Sequence, residues 1–173
     1  VNTKKLDLLM DGTRFNIVSN KVVLIVPKNR ENVAVRDFQD IVSEKVALIS
    51  IGNSDVPAGQ YAAEVLKSLG LWDKLTEMNK ISYAGNVKEV LSQVGTGAVD
   101  CGIVYSTDAA SSQSVSVVRG APEGSHRPIV YPAAIIRRTK NEKAAADFTK
   151  FLRGPESSEI FKKVGFSIPG KDK

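Results

Sequence analysis

The chain has 173 residues, of which 42% are hydrophobic and 25% are charged, and its formal net charge is +5. This composition is typical of a soluble globular protein, the length suits one domain or two small lobes, and no apolar run is long enough for a transmembrane helix. Aromatic residues make up only 6% and lie mostly in apolar runs, so the basic charge does not indicate nucleic-acid binding.

The first half of the chain alternates short apolar runs with amphipathic segments. Strands are predicted at residues 21–27, 46–51 and 81–84. The spacing of Val35, Phe38, Ile41 and Val42 predicts a short helix over 35–42 with one apolar face. The clearest helix is predicted over 57–69, because apolar residues recur there at helical spacing and Gly70 stands where a left-handed cap is needed.

The second half continues this alternation. Asn86, followed three residues later by Glu89, resembles a capping box and predicts a helix that ends at Gly95. Further strands or extended segments are predicted at residues 99–105, 115–118 and 128–136, and further helices at 106–108, 141–153 and 155–164. In helix 141–153 the residues expected to face a core are Ala144, Ala145, Phe148, Phe151 and Leu152. Alternating strands and helices with short connections predict an α/β fold with parallel pairing.

Three connections follow the carboxyl ends of predicted strands, where open α/β sheets bind ligands. In the first, Pro57 suits the opening turn of a helix, and the N–H groups of Ala58 and Gly59 beside it have no intrahelical partner. The N–H of Val87 and the hydroxyl of Tyr105 are donors in the other two. A fully ionised tetrahedral oxyanion only accepts hydrogen bonds, so it matches such neutral donors, and helix ends add partial positive charge.

Each of these donors also has a purely structural interpretation. Helix starts with free N–H groups occur throughout α/β proteins, and water satisfies most of them. Capping by Asn86 explains the sequence around Val87 by itself. A tyrosine at a strand end, such as Tyr105, often packs its ring and has a bonded hydroxyl. The residues alone therefore leave both interpretations open.

Residues that carry catalysis or bind metals are scarce in this chain. Cys101 is the only cysteine, and its apolar surroundings favour a buried, unreactive thiol. His126 is the only histidine, and its position in a loop favours a structural or solvated role. One histidine excludes a multi-histidine metal site and makes a Ser-His-Asp triad a remote alternative. We therefore expect no enzyme, no cofactor and no metal coordinated directly by protein side chains.

Several longer motifs occur in a characteristic order along the chain. They are Val56-Pro57-Ala58-Gly59-x-Tyr61-Ala62, Leu69-Gly70-x-Trp72-Asp73-Lys74-Leu75, Asn86-Val87-Lys88, Gly102-Ile103-Val104-Tyr105-x-Thr107-Asp108-Ala109, Ser125-His126-x-Pro128-Ile129-x-Tyr131-Pro132, and a tail over 151–166. In these residues the chain resembles the bacterial periplasmic molybdate-binding proteins, the solute receptors of molybdate ABC transporters. The order and spacing agree across nearly the whole chain.

The resemblance implies an α/β fold of the two-lobed periplasmic-binding-protein kind (type II), which closes on its ligand about hinge strands. Those strands would be residues 22–26 and 129–136. A complete lobe 2 would cover residues 20–130, hinge strands included. A partial lobe 1 would consist of residues 1–19 and 131–173.

The resemblance also implies the ligand and the partners. Molybdate or tungstate, a small inorganic oxyanion, would lie between the lobes without a metal–protein bond. The backbone N–H groups of Ala58 and Val87 and the hydroxyl of Tyr105 would bind it from lobe 2. The partner would be the membrane permease of an ABC importer, in the periplasm or at the outer face of the cell membrane, with or without a lipid anchor.

The chain departs from the family at its start. The family's opening segment, which carries the first strands of lobe 1 and two serine ligands, has no counterpart here, so an open sheet edge is expected. We expect the isolated chain to bind molybdate weakly or not at all, unless self-association through the incomplete lobe 1 supplies the missing part. A ligand-sensing domain of a transcription regulator with the same fold stays an alternative. An enzyme on this fold is disfavoured because the three donor positions offer no base or nucleophile.

Overall fold

A computed structural model of the chain describes residues 7–28 and 35–169. Two compact units are formed by residues 21–127 and by residues 1–20 with 128–173. The strands in chain order are β1 (Phe15–Asn20), β2 (Val22–Pro27), β3 (Ile49–Gly52), β4 (Ile81–Ala84), β5 (Cys101–Tyr105), β6 (Val115–Gly120) and β7 (Ile129–Ala133). The helices are α1 (Pro57–Ser68), α2 (Trp72–Glu77), α3 (Val87–Gly95), α4 (Ser106–Ala110), α5 (Glu142–Leu152) and α6 (Pro155–Lys163), with a 3₁₀ helix over Phe38–Val42. In the described part of the chain, no helix combines the length and apolarity that crossing a lipid bilayer requires.

The larger unit is built on a five-stranded sheet with strand order β4-β3-β5-β2-β6. β3 is parallel to β4 and β5, whereas β2 is antiparallel to β5 and β6. The parallel pairing expected from the alternation is therefore wrong for β2. All six residues of this strand are buried, and a strand that is apolar along its whole length has the same pattern in either direction. Its direction could therefore not be deduced from periodicity.

Helix α1 packs on this sheet with the apolar stripe that its spacing predicts. Ala62, Val65 and Leu66 each have 0% exposure. Gly70 follows the helix with φ of +67°, which confirms the predicted left-handed cap. β3 begins at Ile49, three residues later than predicted. The core of this unit thus lies between α1, α3 and the central strands.

The predicted helix over 35–42 forms only one 3₁₀ turn, which begins at Phe38. Asp37 caps it by accepting a hydrogen bond from the N–H of Phe38 at 2.7 Å. Asp40 accepts from the N–H groups of Arg36 and Asp37, and these bonds lower the pKa of its carboxyl. The predicted apolar face is confirmed for Val35, Phe38 and Ile41, which are at most 1% exposed, whereas Val42 of the same predicted face is only partly buried.

The smaller unit contains a two-stranded antiparallel sheet of β1 and β7, together with α5 and α6. β1 has no counterpart among the predicted strands. The predicted inward face of α5 is wrong, because the helix has no buried residue. Ala144, Phe148 and Phe151 are exposed, and Ala145 and Leu152 are only partly buried. The rings of Phe148 and Phe151 stack on each other, with centroids 6.4 Å apart, instead of entering a core.

Candidate functional site

Three helices of the larger unit begin at the same edge of its sheet. β4, β3 and β5 are parallel neighbours, and α3, α1 and α4 follow their carboxyl ends. Ala58 and Val87 lie in the first turns of α1 and α3, and Tyr105 ends β5 immediately before α4, so each of these strand–helix junctions contributes one of the three residues. The strand order therefore brings to one sheet edge three residues that are 29 and 18 positions apart in sequence. We call the N–H groups of Ala58 and Val87 and the Tyr105 hydroxyl the donor set.

Helix α1 starts without a side-chain cap. Val56 is the N-cap residue in an extended conformation, and Pro57 takes the first helical position. The first bonds of the helix run from the N–H groups of Gly59 and Gln60 to the carbonyl of Val56, at 2.9 and 3.1 Å. The N–H of Ala58 precedes these bonds, whereas the prediction that Gly59 lacks an intrahelical partner is wrong, because its N–H donates to Val56. Because no acidic side chain occurs in this first turn, the helix start keeps its partial positive charge.

Helix α3 starts with a side-chain cap, as predicted. The Asn86 side chain accepts from the N–H of Glu89 at 3.0 Å. The Glu89 carboxylate, however, accepts from the N–H of Gly85 at 2.8 Å, one residue before the position that a regular capping box uses. The N–H of Val87 precedes the helical bonds here as well, but the charge of Glu89 offsets part of the positive helix end. Within the donor set, α1 therefore offers an anion the more favourable helix start.

Tyr105 ends β5 and is the N-cap residue of α4. Its ring lies edge-on against that of Tyr61, with centroids 6.0 Å apart. The packed ring of the structural interpretation is therefore present. Ring packing alone does not determine whether the hydroxyl also binds a ligand, because a tyrosine carries its polar atom at the far end of the ring.

Asp108, three residues after Tyr105, carries a carboxyl oxygen that is buried and unpaired. Its Oδ2 has no hydrogen-bond partner among the described residues. Burial raises the pKa of Asp108, and a hydrogen bond from the N–H of Tyr105 opposes this shift. In the sequence, Asp108 stands out only as part of a longer motif. Its position three residues after Tyr105, at the end of a predicted strand, is the one sequence signal that places its carboxyl near the start of α4.

We expect Asp108→Asn to raise the free energy of unfolding at neutral pH. Because burial raises the folded-state pKa above the unfolded value of 3.8, the native state holds the proton more tightly, and stability falls as pH rises through the folded pKa. Asparagine removes the charge and keeps an oxygen that accepts from the N–H of Tyr105. The stability gained by Asp108→Asn should therefore shrink as the pH falls to about 4, where the parent carboxyl is protonated as well.

Urea unfolding of both proteins at these two pH values measures the difference. Glu123→Gln, which removes an exposed carboxylate in a loop, is the control and should change stability little at either pH. An Asp108→Asn variant that is less stable than the parent at neutral pH would contradict the prediction, because it would show that the charged carboxylate stabilises the folded protein.

Cys101 has 0% exposure, and burial raises the pKa of its thiol to about 12. The thiolate is the nucleophilic form of cysteine, and so little of it exists at neutral pH that the side chain behaves as a small apolar group. The prediction of a buried, unreactive thiol is confirmed.

A cavity of about 560 Å³ lies beside α1. Its lining includes Gly52, Gly59, Ala63, Lys67, Trp72 and Tyr83. None of Ala58, Val87 and Tyr105 lines this cavity. Polar side chains such as Gln60 and Glu64 also line it, and the Lys67 ammonium lies 5.3 Å from the Trp72 ring centroid. The donor set and this cavity are therefore separate features of the unit.

Comparison with known proteins identifies relatives over nearly the whole chain. A family model described as bacterial extracellular solute-binding protein matches residues 2–167. YvgL of Bacillus subtilis, named as a substrate-binding lipoprotein of an ABC transporter, is 44% identical over 152 residues, which are 87% of this chain and 56% of YvgL. The molybdate-binding protein ModA of Escherichia coli is 36% identical over 164 residues, which are 91% of this chain and 62% of ModA. The chain thus spans less than two thirds of the length of these curated relatives.

The fold agrees with a solved structure of the same kind. The chain superposes with a TM-score of 0.88 on a protein from Clostridium difficile, named as the substrate-binding domain of a molybdenum ABC transporter. The two are 38% identical, and the match covers 95% of this chain and 72% of that one. The predicted α/β fold of the periplasmic binding proteins is confirmed.

Proposed function

The chain belongs to the bacterial extracellular solute-binding proteins, and we propose from this premise that it captures molybdate or tungstate for an ABC importer. One observation carries the proposal. Ala58, Val87 and Tyr105, the positions at which the resemblance implies ligand contacts, follow three neighbouring parallel strands at one sheet edge. The ligand is the transported cargo, and the family role is solute binding rather than catalysis.

The chemistry of the donor set supports an oxyanion. Molybdate and tungstate are tetrahedral dianions that accept hydrogen bonds and donate none, so a lining of N–H and O–H groups matches them. The two helix starts add partial positive charge without a charged side chain. Selectivity over smaller oxyanions would come from the fit between the ligand and the spacing of the donors. This proposal needs no base, no nucleophile and no bond from the protein to the metal.

The domain organisation belongs to the same proposal. We assign residues 20–130 to lobe 2 with its hinge strands, and residues 1–19 and 131–173 to the part of lobe 1 that this chain carries. The division of the chain into units of 21–127 and the remainder supports the assignment. The site would act outside the cytoplasmic membrane and deliver its ligand to a membrane permease.

Self-association through the smaller unit is the remaining part of the proposal. Phe148 and Phe151 are 60% and 45% exposed, and Ile160 and Val164 are 53% and 50% exposed. Of these four side chains, the Phe148 and Phe151 rings are in contact with each other, and exposed apolar side chains that form a contiguous patch can mark an interaction surface. Sedimentation velocity over a range of concentrations tests this part, and a monomer at all of them would contradict it.

A titration with four anions tests the proposed ligand. At millimolar concentrations, which allow for the weak binding expected of this chain, we expect molybdate and tungstate to raise the melting temperature of the protein, and sulfate and phosphate to raise it much less, because the smaller anions fit the donor spacing poorly. Tyr105→Phe, which removes only the hydroxyl, should weaken molybdate binding about tenfold or more, the effect of losing a hydrogen bond to a charged ligand.

Amide chemical shifts of Ala58 and Val87 during the titration report binding even at millimolar affinity. Tyr83→Phe is the matched control, because Tyr83 is 54% exposed on β4 and outside the donor set. Stabilisation by sulfate or phosphate but not by molybdate would overturn the proposal.

A further inference from the structure

Tyr61 of α1 connects Tyr105 to the last two residues of the larger unit. Its ring meets the Tyr105 ring edge-on at 6.0 Å and the His126 ring edge-on at 5.8 Å. The Arg127 guanidinium lies over the same ring, 4.8 Å from its centroid. We call these four residues the aromatic cluster. The proposed ligand contacts do not account for three of its members.

Arg127 is held on α1 by several bonds at once. Its Nε lies 3.2 Å from Glu64 Oε1, and its backbone N–H donates to Glu64 Oε2 at 2.9 Å. Its Nη2 donates to the Gln60 side chain at 3.0 Å. A single exposed ion pair contributes little, and this one is 56% and 34% exposed. The bonds to Glu64 and Gln60 and the stack on Tyr61 together restrict the guanidinium far more than one ion pair does, and the backbone bond to Glu64 fixes the chain beside it.

His126 adds a further contact to the Tyr61 ring. Its Nδ1 lies 2.8 Å from the carbonyl oxygen of Arg127. Because a carbonyl oxygen only accepts, Nδ1 carries the hydrogen. This bond restrains the imidazole, which meets Tyr61 edge-on. The Tyr61 ring is therefore restrained by Arg127 and His126, and it contacts Tyr105.

We propose that Tyr61 is a positioning residue for oxyanion binding, because its ring, restrained by Arg127 and His126, sets the orientation of the Tyr105 side chain. This inference rests on the proposed function. The hydroxyl of a tyrosine is remote from its backbone, so a small rotation of the side chain about its Cα–Cβ bond moves the hydroxyl beyond hydrogen-bond distance of a ligand. Binding sites need supporting residues that prevent such rotation. Tyr61 provides this support without contacting the ligand itself.

The test is a double-mutant cycle with molybdate as the probe, using the whole chain and the amide shifts of Ala58 and Val87. We expect Tyr61→Leu to weaken molybdate binding about fivefold, the effect of losing an aromatic pair, and Tyr61→Phe to restore the parent affinity. In the Tyr105→Phe background, Tyr61→Leu should change the affinity by less than about twofold, because the hydroxyl that it positions is gone. Arg127→Gln should lower the molybdate affinity by a smaller factor, and this loss should likewise disappear in the Tyr105→Phe background. This second variant keeps the test valid if Tyr61→Leu does not fold.

Tyr83→Leu, at an exposed tyrosine of the same unit, is the matched control and should leave the affinity unchanged. An equal loss from Tyr61→Leu in both backgrounds would overturn the inference, because Tyr61 would then act on the site without Tyr105. Unchanged affinity in both Tyr61→Leu and Arg127→Gln would overturn it as well. If the parent chain shows no molybdate-dependent shifts even at millimolar molybdate, where the weak binding expected of this chain would still be detected, the proposed function fails for this chain and the inference fails with it. If the parent chain binds molybdate and Tyr105→Phe weakens this binding, the proposed function stands regardless of the effect of the Tyr61 substitutions.

Discussion

Gly59→Ala is expected to lower the free energy of unfolding by about 3 kcal/mol. A methyl group at this position would overlap the carbonyl oxygens of Gly52 and Asn53. Both acceptors belong to the backbone, Gly52 at the end of β3 and Asn53 directly after it, so the overlap is relieved only by moving the chain and not by rotating a side chain. The first turn of α1 would move away from β3, and the N–H of Ala58 would move with it. We therefore expect a loss of oxyanion affinity in addition to the loss of stability.

Gly120→Ala is the matched control for this substitution. A methyl group there meets no atom within 4 Å, and the residue needs no left-handed backbone. Its effect should stay within about 0.5 kcal/mol. Urea unfolding followed by circular dichroism measures both variants. If Gly59→Ala were as stable as Gly120→Ala, the close approach of α1 to the β3–α1 connection would be wrong.

Leu66→Ala is expected to lower the free energy of unfolding by about 3 kcal/mol. Leu66 has 0% exposure on the buried face of α1. Removing its side chain costs the free energy of burying the lost methyl groups and leaves a cavity that a close-packed core fills only in part. The substitution keeps a residue with good helix propensity. The loss therefore reports packing between α1 and the sheet and not helix formation.

Met78→Ala in the same unit removes a side chain of similar volume that is 44% exposed. We expect it to change stability by less than about 1 kcal/mol. Equilibrium unfolding of both variants under one set of conditions makes the comparison direct. Equal losses from the two would mean that α1 does not pack on the sheet as the structure describes.

The two predictions concern the same helix and separate its two roles. Leu66 anchors α1 to the sheet, whereas Gly59 lets the first turn approach the end of β3. In the proposed site, Leu66→Ala should lower stability with little direct effect on the donor set, and Gly59→Ala should change both. Measuring molybdate affinity in the two variants at temperatures well below unfolding distinguishes a displaced helix start from a weakened core.

The elements predicted most accurately are those with local signals at both ends. α1, β4 and α3 begin at the predicted residues or one residue later. Pro57, Gly70 and Asn86 mark helix starts and ends through the backbone conformations that they favour, and these preferences hold in almost any surrounding fold. Ala58 and Val87 lie at such locally marked helix starts, and Tyr105 ends a predicted apolar strand, which is why these three residues could be proposed as donors from the sequence.

The features that periodicity missed depend on what each element packs against. The spacing of apolar residues in α5 predicts an apolar face, but it does not show whether another element covers that face. Phe148 on this face is 60% exposed. The burial of β2 on all sides conceals its direction in the sheet. β1 has only one pairing partner in its sheet, β7, which lies more than a hundred residues further along the chain.

The sequence by itself determined the helix starts and strand ends that carry the donor set, because caps, prolines and glycines act within a few residues. Only the tertiary structure showed that these connections follow neighbouring strands and that Tyr61 lies against Tyr105, His126 and Arg127. Tyr61 and Arg127 are separated by 66 positions, and no local preference specifies such a contact. Strand order decides it, since the sheet sets which chain segments meet at its edge.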